Sequence, residues 1–298
     1  LAAIVDTNLC AESILQIIFG RVEVERYIDA ELQQPLNMSQ LIPLLILLGA
    51  FSGFLAGLLG IGGGLIIVPA LLYLLAPSID HSILMHTSIG TALATMVFTS
   101  VSSVYAHNRH GAILWKSFVK LAPAIFIGAF SGAIIAKYMS FDFLRIFFGC
   151  FEVVVALVMW FGISAAGQVD KLSRWMWSFV GFIIGIVSAI VGIGGGTMTT
   201  PFLVYNNVPI KNAIATSATV GMPIAIAGSF GFVVTGLSQN LPTGGIGFIN
   251  LNALITIVIS SVLFAPLGAK VTHSVDSKKL KKGFAILLGF LAAMVLFF

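Results

Sequence analysis

Gly60-Ile61-Gly62-Gly63-Gly64, followed by Pro69, interrupts an apolar run, and Gly192-Ile193-Gly194-Gly195-Gly196 with Pro201 repeats it at the same internal spacing. Each glycine inside a helix costs about 1 kcal/mol relative to alanine, so three in near succession mark a break. In a bilayer a broken helix survives only where protein or a water-filled cavity satisfies the freed backbone. A helix restarting after the glycines aims bare N–H groups and its positive dipole end at that cavity, a chemistry suited to an anion. One such break in each half of a chain is the pattern of a transporter's binding site. The substrate-binding candidates are therefore Gly62, Gly63 and Gly64, with Gly194, Gly195, Gly196 and the adjoining Thr197. Glycines that only permit close helix packing are spaced four apart, as are Gly49, Gly53 and Gly57 upstream. A dinucleotide fingerprint needs a soluble strand before its glycines and is rejected.

Hydroxyls follow each break. Thr87 and Ser88 in the first half match Thr216 and Ser217 in the second, and Thr91 lies one turn from Thr87 on the same helix face. They offer donors to an anion without fixed charge, or they bond back to their own helix. Glu152 is the one carboxylate near the middle of an apolar span, a functional candidate by default. It is a candidate carrier of a coupling proton, with His86 as the second, or else a structural partner of Lys120 on the neighbouring span. Metal binding is not expected, because His81, His86, His107 and His110 lack the spacing of a helical zinc site. Cys10 and Cys150 are the only cysteines, and no disulfide is expected between them.

The elements that must position these groups follow from composition. The chain of 298 residues is 58% hydrophobic and 9% charged, far below the roughly one quarter charged of a soluble domain. Repeated apolar runs are long enough for the ~30 Å of hydrocarbon in a bilayer. They are continuous rather than alternating, which excludes a β-barrel. The reading is an all-α, polytopic helical membrane protein. Segments are expected over 41–59, 65–75, 83–105, 113–136 and 143–163, then 175–191, 197–205, 212–237, 248–269 and 280–298. An amphipathic N-terminal extension occupies 1–38, the first transmembrane repeat 39–163, a polar linker 164–174 and the second repeat 175–298. Asp6, Glu12 and the lack of a basic leader argue against a cleavable signal in the first twenty residues.

The two halves are homologous repeats of about five segments each, broken by the glycines. If every segment crosses, Arg109, Lys116, Lys211, Lys270 and the lysines at 278–282 collect on one side, while Lys137 and Arg145 stay on the other. That charge distribution favours inverted repeats over parallel spans with re-entrant segments. The basic cluster at 278–282, set between spans, reads as a cytoplasmic anchor to lipid, and nucleic acid is excluded as a partner.

With these motifs assembled, residues 41–298 resemble the sulfite exporter TauE/SafE family of membrane permeases. The resemblance rests on Gly57 to Gly64 with Pro69, on Val191 to Gly196 with Pro201, and on His86-Thr87-Ser88 and Ala215-Thr216-Ser217. It implies export of sulfite or organosulfur anions such as sulfoacetate. The expected function is secondary transport by alternating access at a midplane site, in a bacterial inner (cell) membrane. No cofactor is expected, since no nucleotide-binding loop is present. A passive anion channel is the alternative within transport, and an intramembrane enzyme the alternative outside it. Paired intramembrane aspartates and a nucleophile elbow are both lacking, so an enzyme is not expected.

Overall fold

The computed structural model describes residues 38–162, 173–239, 241, 244–271 and 277–298. Cys10, the extension before residue 38 and most of the 164–174 linker lie outside them. Ten helices follow in order: α1 (Met38–Leu59), α2 (Gly64–Leu75), α3 (His81–Arg109), α4 (Trp115–Lys137), α5 (Phe141–Phe161), α6 (Arg174–Val191), α7 (Gly196–Tyr205), α8 (Ile210–Gly236), α9 (Leu251–Val271) and α10 (Ser277–Leu296). Each has its ends within four residues of a segment expected from hydropathy. Six are long and apolar enough to cross a membrane: α1, α3, α4, α5, α8 and α9. The bundle turns large apolar side chains outward, among them Leu47, Val119, Phe161, Ile259, Leu263 and Phe290. In water such a surface would be a liability, whereas against lipid it carries no penalty.

Capping residues fix several helix starts. Asp80 accepts the Ser82 N–H at 2.8 Å ahead of α3, and these bonds hold its exposed carboxyl below the usual carboxylate range. Ser140 and Ser173 cap α5 and α6 in the same way, accepting from Phe143 N and Met176 N.

Small residues then set which helices meet. The sequence assigned Gly49, Gly53 and Gly57 to packing, and each presses its backbone on α9, at Ile257 and Ser260, Ser261 and Ala265 respectively. In the second half Gly181 and Gly185 of α6 lie on Leu121 and Ile125 of α4, which returns Gly128 and Gly132 against Phe182 and Ile186. Thus the first helix of each half runs parallel to the fourth helix of the other half. α3 and α8 run antiparallel. The loop after α3 meets the start of α8 through Asn212 Nδ2 and the Ala112 carbonyl, and Phe232 near the end of α8 lies against Gly90 near the start of α3. α5 and α10 are also antiparallel, since Arg145 at the start of α5 donates to the Leu296 carbonyl while Lys282 lies over the Trp160 ring.

One feature has no sequence-level precursor. Gly245–Ile246 and Ile249–Asn250 form a two-residue antiparallel hairpin before α9. It folds inward, with Phe248 N–H bonded to the Phe232 carbonyl and its ring stacked 5.0 Å from His86.

Where a side chain has no room, a leucine must part the α1–α9 seam. Gly57→Leu is expected to lower the melting temperature of purified protein and shift it toward aggregates in size-exclusion chromatography, the overpacking costing about 1–3 kcal/mol. Gly289→Ala, with open space around the added methyl, is expected to leave both unchanged or slightly improved.

Candidate functional site

The two glycine breaks cross one another inside the bundle. In the first, the ladder of α1 ends at the Gly60 N–H bond to the Ala56 carbonyl and resumes with Ile66 and Ile67 bonded to the Gly63 carbonyl. In the second, Ile193 N–H closes on the Ser188 carbonyl, and Thr199 N–H reopens the ladder on Gly195. The N–H groups between those points are first-turn donors without an intrahelical acceptor. Contacts across the crossing are reciprocal. A side chain on Gly64 would strike the Gly192 carbonyl, and one on Gly196 would strike the Gly60 carbonyl. A Cβ on Gly62 would stand 2.9 Å from the Gly194 Cα, and one on Gly194 would stand 3.0 Å from the Gly62 Cα. These glycines therefore serve backbone-to-backbone approach as well as exposure.

The repeated sequence does not give a repeated conformation. Gly60, Gly62 and Gly63 all take φ between 70° and 84°, whereas in the second block Gly192 alone is left-handed and Gly195 has φ −59°. Gly63 is thus demanded by its backbone, while Gly195 is demanded by the Val220 and Ile224 side chains beside it.

Two cavities touch the crossing. The smaller, about 10 Å³ and room for a single water, is walled by Gly60, Gly62 and Gly194 and, from α3, by Met96, Thr99, Ser100 and Ser103. The larger, about 90 Å³, is bounded by Ile61, Gly196, Thr197 and Thr200 at the crossing and by Val155, Val158 and Met159 of α5. It reaches Gly162, Val204 and Ile210, residues at the same end of the bundle as Arg109, Lys116 and Lys211. Pro201 removes the donor that the Thr197 carbonyl would otherwise receive in α7, as Pro69 does for Leu65 in α2.

Of the hydroxyls singled out in the sequence, most are already engaged. Thr87 and Ser88 donate to the Ile83 and Leu84 carbonyls one turn back, the helix-bonded arrangement. Thr91 accepts the Asn250 N–H at 3.0 Å and Thr216 accepts the Leu114 N–H at 2.9 Å, so each anchors an inter-helix loop. Ser217 pairs with Thr200 at 2.7 Å beside the larger cavity, while the buried Thr197 Oγ1 has no partner. Thr99, Ser100 and Ser103 were missed. For Thr99 and Ser103 the signal is a four-residue spacing on α3, Thr87-Thr91-Thr95-Thr99-Ser103-His107, every member buried, and Ser100 stands outside it. Thr99 is held by Thr95 and Ser261 and Ser100 by Val97, but the Ser103 hydroxyl, almost wholly buried on the smaller cavity, has no hydrogen-bond partner.

Glu152 is fully buried on α5, and among the described residues neither carboxyl oxygen has a hydrogen-bond partner. The expected alternative of a pair with Lys120 is corrected: that ammonium sits 5.3 Å over the Trp177 ring. His86 places Nε2 3.0 Å from the Ala136 carbonyl and lines neither cavity. Among the described residues no group of three or more His, Cys, Asp or Glu gathers as a metal site.

An apolar helical bundle with six helices long enough to cross a bilayer defines an integral membrane protein. The profile of the family described as Sulfite exporter TauE/SafE matches residues 45–295. A probable membrane transporter protein of Haemophilus influenzae is 39% identical over 255 residues, covering 84% of this chain and 96% of its own. Probable membrane transporter proteins of Methanocaldococcus jannaschii and Bacillus subtilis (YdhB) are 28% and 26% identical, over 86% and 85% of this chain and 96% and 100% of theirs. The chain belongs to the sulfite exporter TauE/SafE family. No solved structure matches it.

Removing the uncommitted donor at the smaller cavity should be felt by a bound anion. Ser103→Ala is expected to weaken apparent anion affinity about tenfold or more in a flux assay, the loss of one hydrogen bond to a charged group. Thr87→Val, whose hydroxyl is spent on its own helix, is expected to change it less than about twofold.

Proposed function

We propose that this protein carries small anions, sulfite or organosulfonates such as sulfoacetate, by alternating access at the crossing of the two glycine breaks. The observation that carries the reading is the set of first-turn N–H donors at that crossing, beside the unpartnered Thr197 Oγ1 on the larger cavity and the unpartnered Ser103 hydroxyl on the smaller one, which in this state is closed to anything larger than a water. Donors fixed by the fold replace part of the anion's lost hydration, with no positive side chain to hold the anion too tightly for release. Gly62, Gly63 and Gly64 with Gly194, Gly195, Gly196 and Thr197 form the core of the site. Thr99, Ser100 and Ser103 extend it. Thr91 and Thr216 serve as loop anchors.

Antiparallel α3 and α8, and antiparallel α5 and α10, support two inverted repeats, each spanning five helices. The halves differ in what fills equivalent places. Leu65, Val68 and Leu72 stand 132 residues before Thr197, Thr200 and Val204, and all three are fully buried. One end of the bundle is therefore sealed by leucine and valine where the other has the larger cavity. That asymmetry is what one state of an alternating-access cycle requires. The cavity end carries Arg109, Lys116 and Lys211 and is the cytoplasmic side by the distribution of basic residues. An inside-negative potential favours outward anion movement by about 2.3 kcal/mol per charge at 100 mV.

Full-length protein in proteoliposomes is expected to give saturable sulfite or sulfoacetate flux that supports counterflow. Flux rising linearly with concentration, without counterflow, would identify a channel instead. Turnover of lipid or peptide with no solute flux would identify an enzyme.

A further inference from the structure

We infer that Glu152 is a proton-binding site of the transport cycle, loaded from the larger cavity and electrostatically linked to the anion at the crossing. The inference rests on the transport reading above and adds the partner ion. Glu152 is fully buried in a membrane-crossing helix, and both of its carboxyl oxygens lack a hydrogen-bond partner. A buried carboxylate without compensation is costly, while the neutral acid is tolerated. Such a residue has no evident structural use. Leu288, at about the corresponding place in the second half, is fully buried and needs no partner. A leucine at 152 would pack as well, so what the glutamate adds is its proton.

Access is provided by the same helix face. Val155 and Met159, one and two turns beyond Glu152, line the larger cavity together with Gly196 and Thr197. The cycle balances simply: a carboxylate gains a proton from water in the cavity to become the acid and returns it to water on the other side, so one positive charge travels with the anion and the potential acts only on the charge that is left. An anion bound at the crossing disfavours a second negative charge nearby in a low-dielectric interior. Protonated Glu152 and bound anion therefore favour each other, and by reciprocity each raises the other's affinity by the same factor.

The other titratable groups near α5 are placed differently. On α5 itself Arg145 pairs with Asp142 and the Leu296 carbonyl, both near its start. Packed against it, α10 carries Lys282 over Trp160, while α3 carries His81 against Phe141 and His86 on the Ala136 carbonyl. His107 and Arg109 lie at the far end of α3, and Tyr205 and Lys211 stand between α7 and α8 near the cavity mouth. None of these contacts reaches the Glu152 oxygens, which have no hydrogen-bond partner among the described residues.

The test has two readouts. Purified full-length protein in liposomes is treated with dicyclohexylcarbodiimide, a lipid-soluble reagent for protonated carboxyls, and the modified residue is located by mass spectrometry. Glu152 is expected to be labelled, and less so as pH rises. In parallel, sulfoacetate counterflow is measured against pH, since this probe's own charge is constant near neutrality. Wild-type apparent affinity is expected to fall about tenfold as pH rises, whereas Glu152→Gln, fixed in the neutral form, gives a flat profile. Labelling at no pH, or the same pH response in Glu152→Gln, overturns the proton site. Absence of counterflow at every pH in both proteins contradicts sulfoacetate transport, and labelling alone then decides whether Glu152 exchanges its proton.

Discussion

A backbone N–H group that finds no acceptor inside a membrane costs several kcal/mol, and this constraint governs the molecule. Helices α1 and α6 stop at glycines within the bundle, and α2 and α7 restart from them, leaving two sets of donors outside any ladder. The fold brings the two liabilities to one place. Close approach of the breaks excludes lipid from both and concentrates their donors, which in the proposed function an anion satisfies as a carbonyl does elsewhere. Much of the remaining architecture maintains that meeting. The α1–α9 and α4–α6 seams, built on small residues, hold each broken element against the opposite half of the chain.

In the proposed function, transport follows from where the two halves differ. A perfectly symmetric crossing would offer the same path to both sides and could leak. The buried polar run on α3 has no equal on α8, where Val220, Ile224, Gly228, Phe232 and Gly236 stand 129 residues after Thr91, Thr95, Thr99, Ser103 and His107. Phe232 contacts the inward-folded hairpin through its carbonyl and the Phe248 ring, 6.3 Å away. Hydroxyls on one side and aromatic packing on the other give the two halves unequal resistance to water. Glu152 opposite Leu288 follows the same pattern.

The fold was largely legible because hydropathy and glycine placement are local signals. The first break was placed at Gly60–Gly64, and the helices on either side begin and end there. What escaped depends on distant partners. Nothing near Thr91 or Thr216 announces that Asn250 and Leu114 will take their hydroxyls, so both read as candidates for substrate contact. Lys120 and Glu152 sit on spans consecutive in sequence, yet α4 packs on α6 rather than on α5, and Trp177 of α6 takes the ammonium. The difference between Gly63 and Gly195 was equally hidden, because identical words meet different neighbours. Ser103 was readable in principle from the four-residue spacing of α3, a pattern that matching the two halves obscures because only one half contains it.

In the proposed function the crossing of the breaks is a water-accessible anion site reached from one side at a time. Substituted-cysteine accessibility at Ser103 tests it most directly, in a background with Cys10→Ser and Cys150→Ser. Ser103→Cys is expected to react with a membrane-impermeant maleimide added from the side of Arg109 and Lys116, and to be protected by the transported anion. Failure to react from either side, or reaction that saturating anion leaves unchanged, would place the substrate path elsewhere in the bundle.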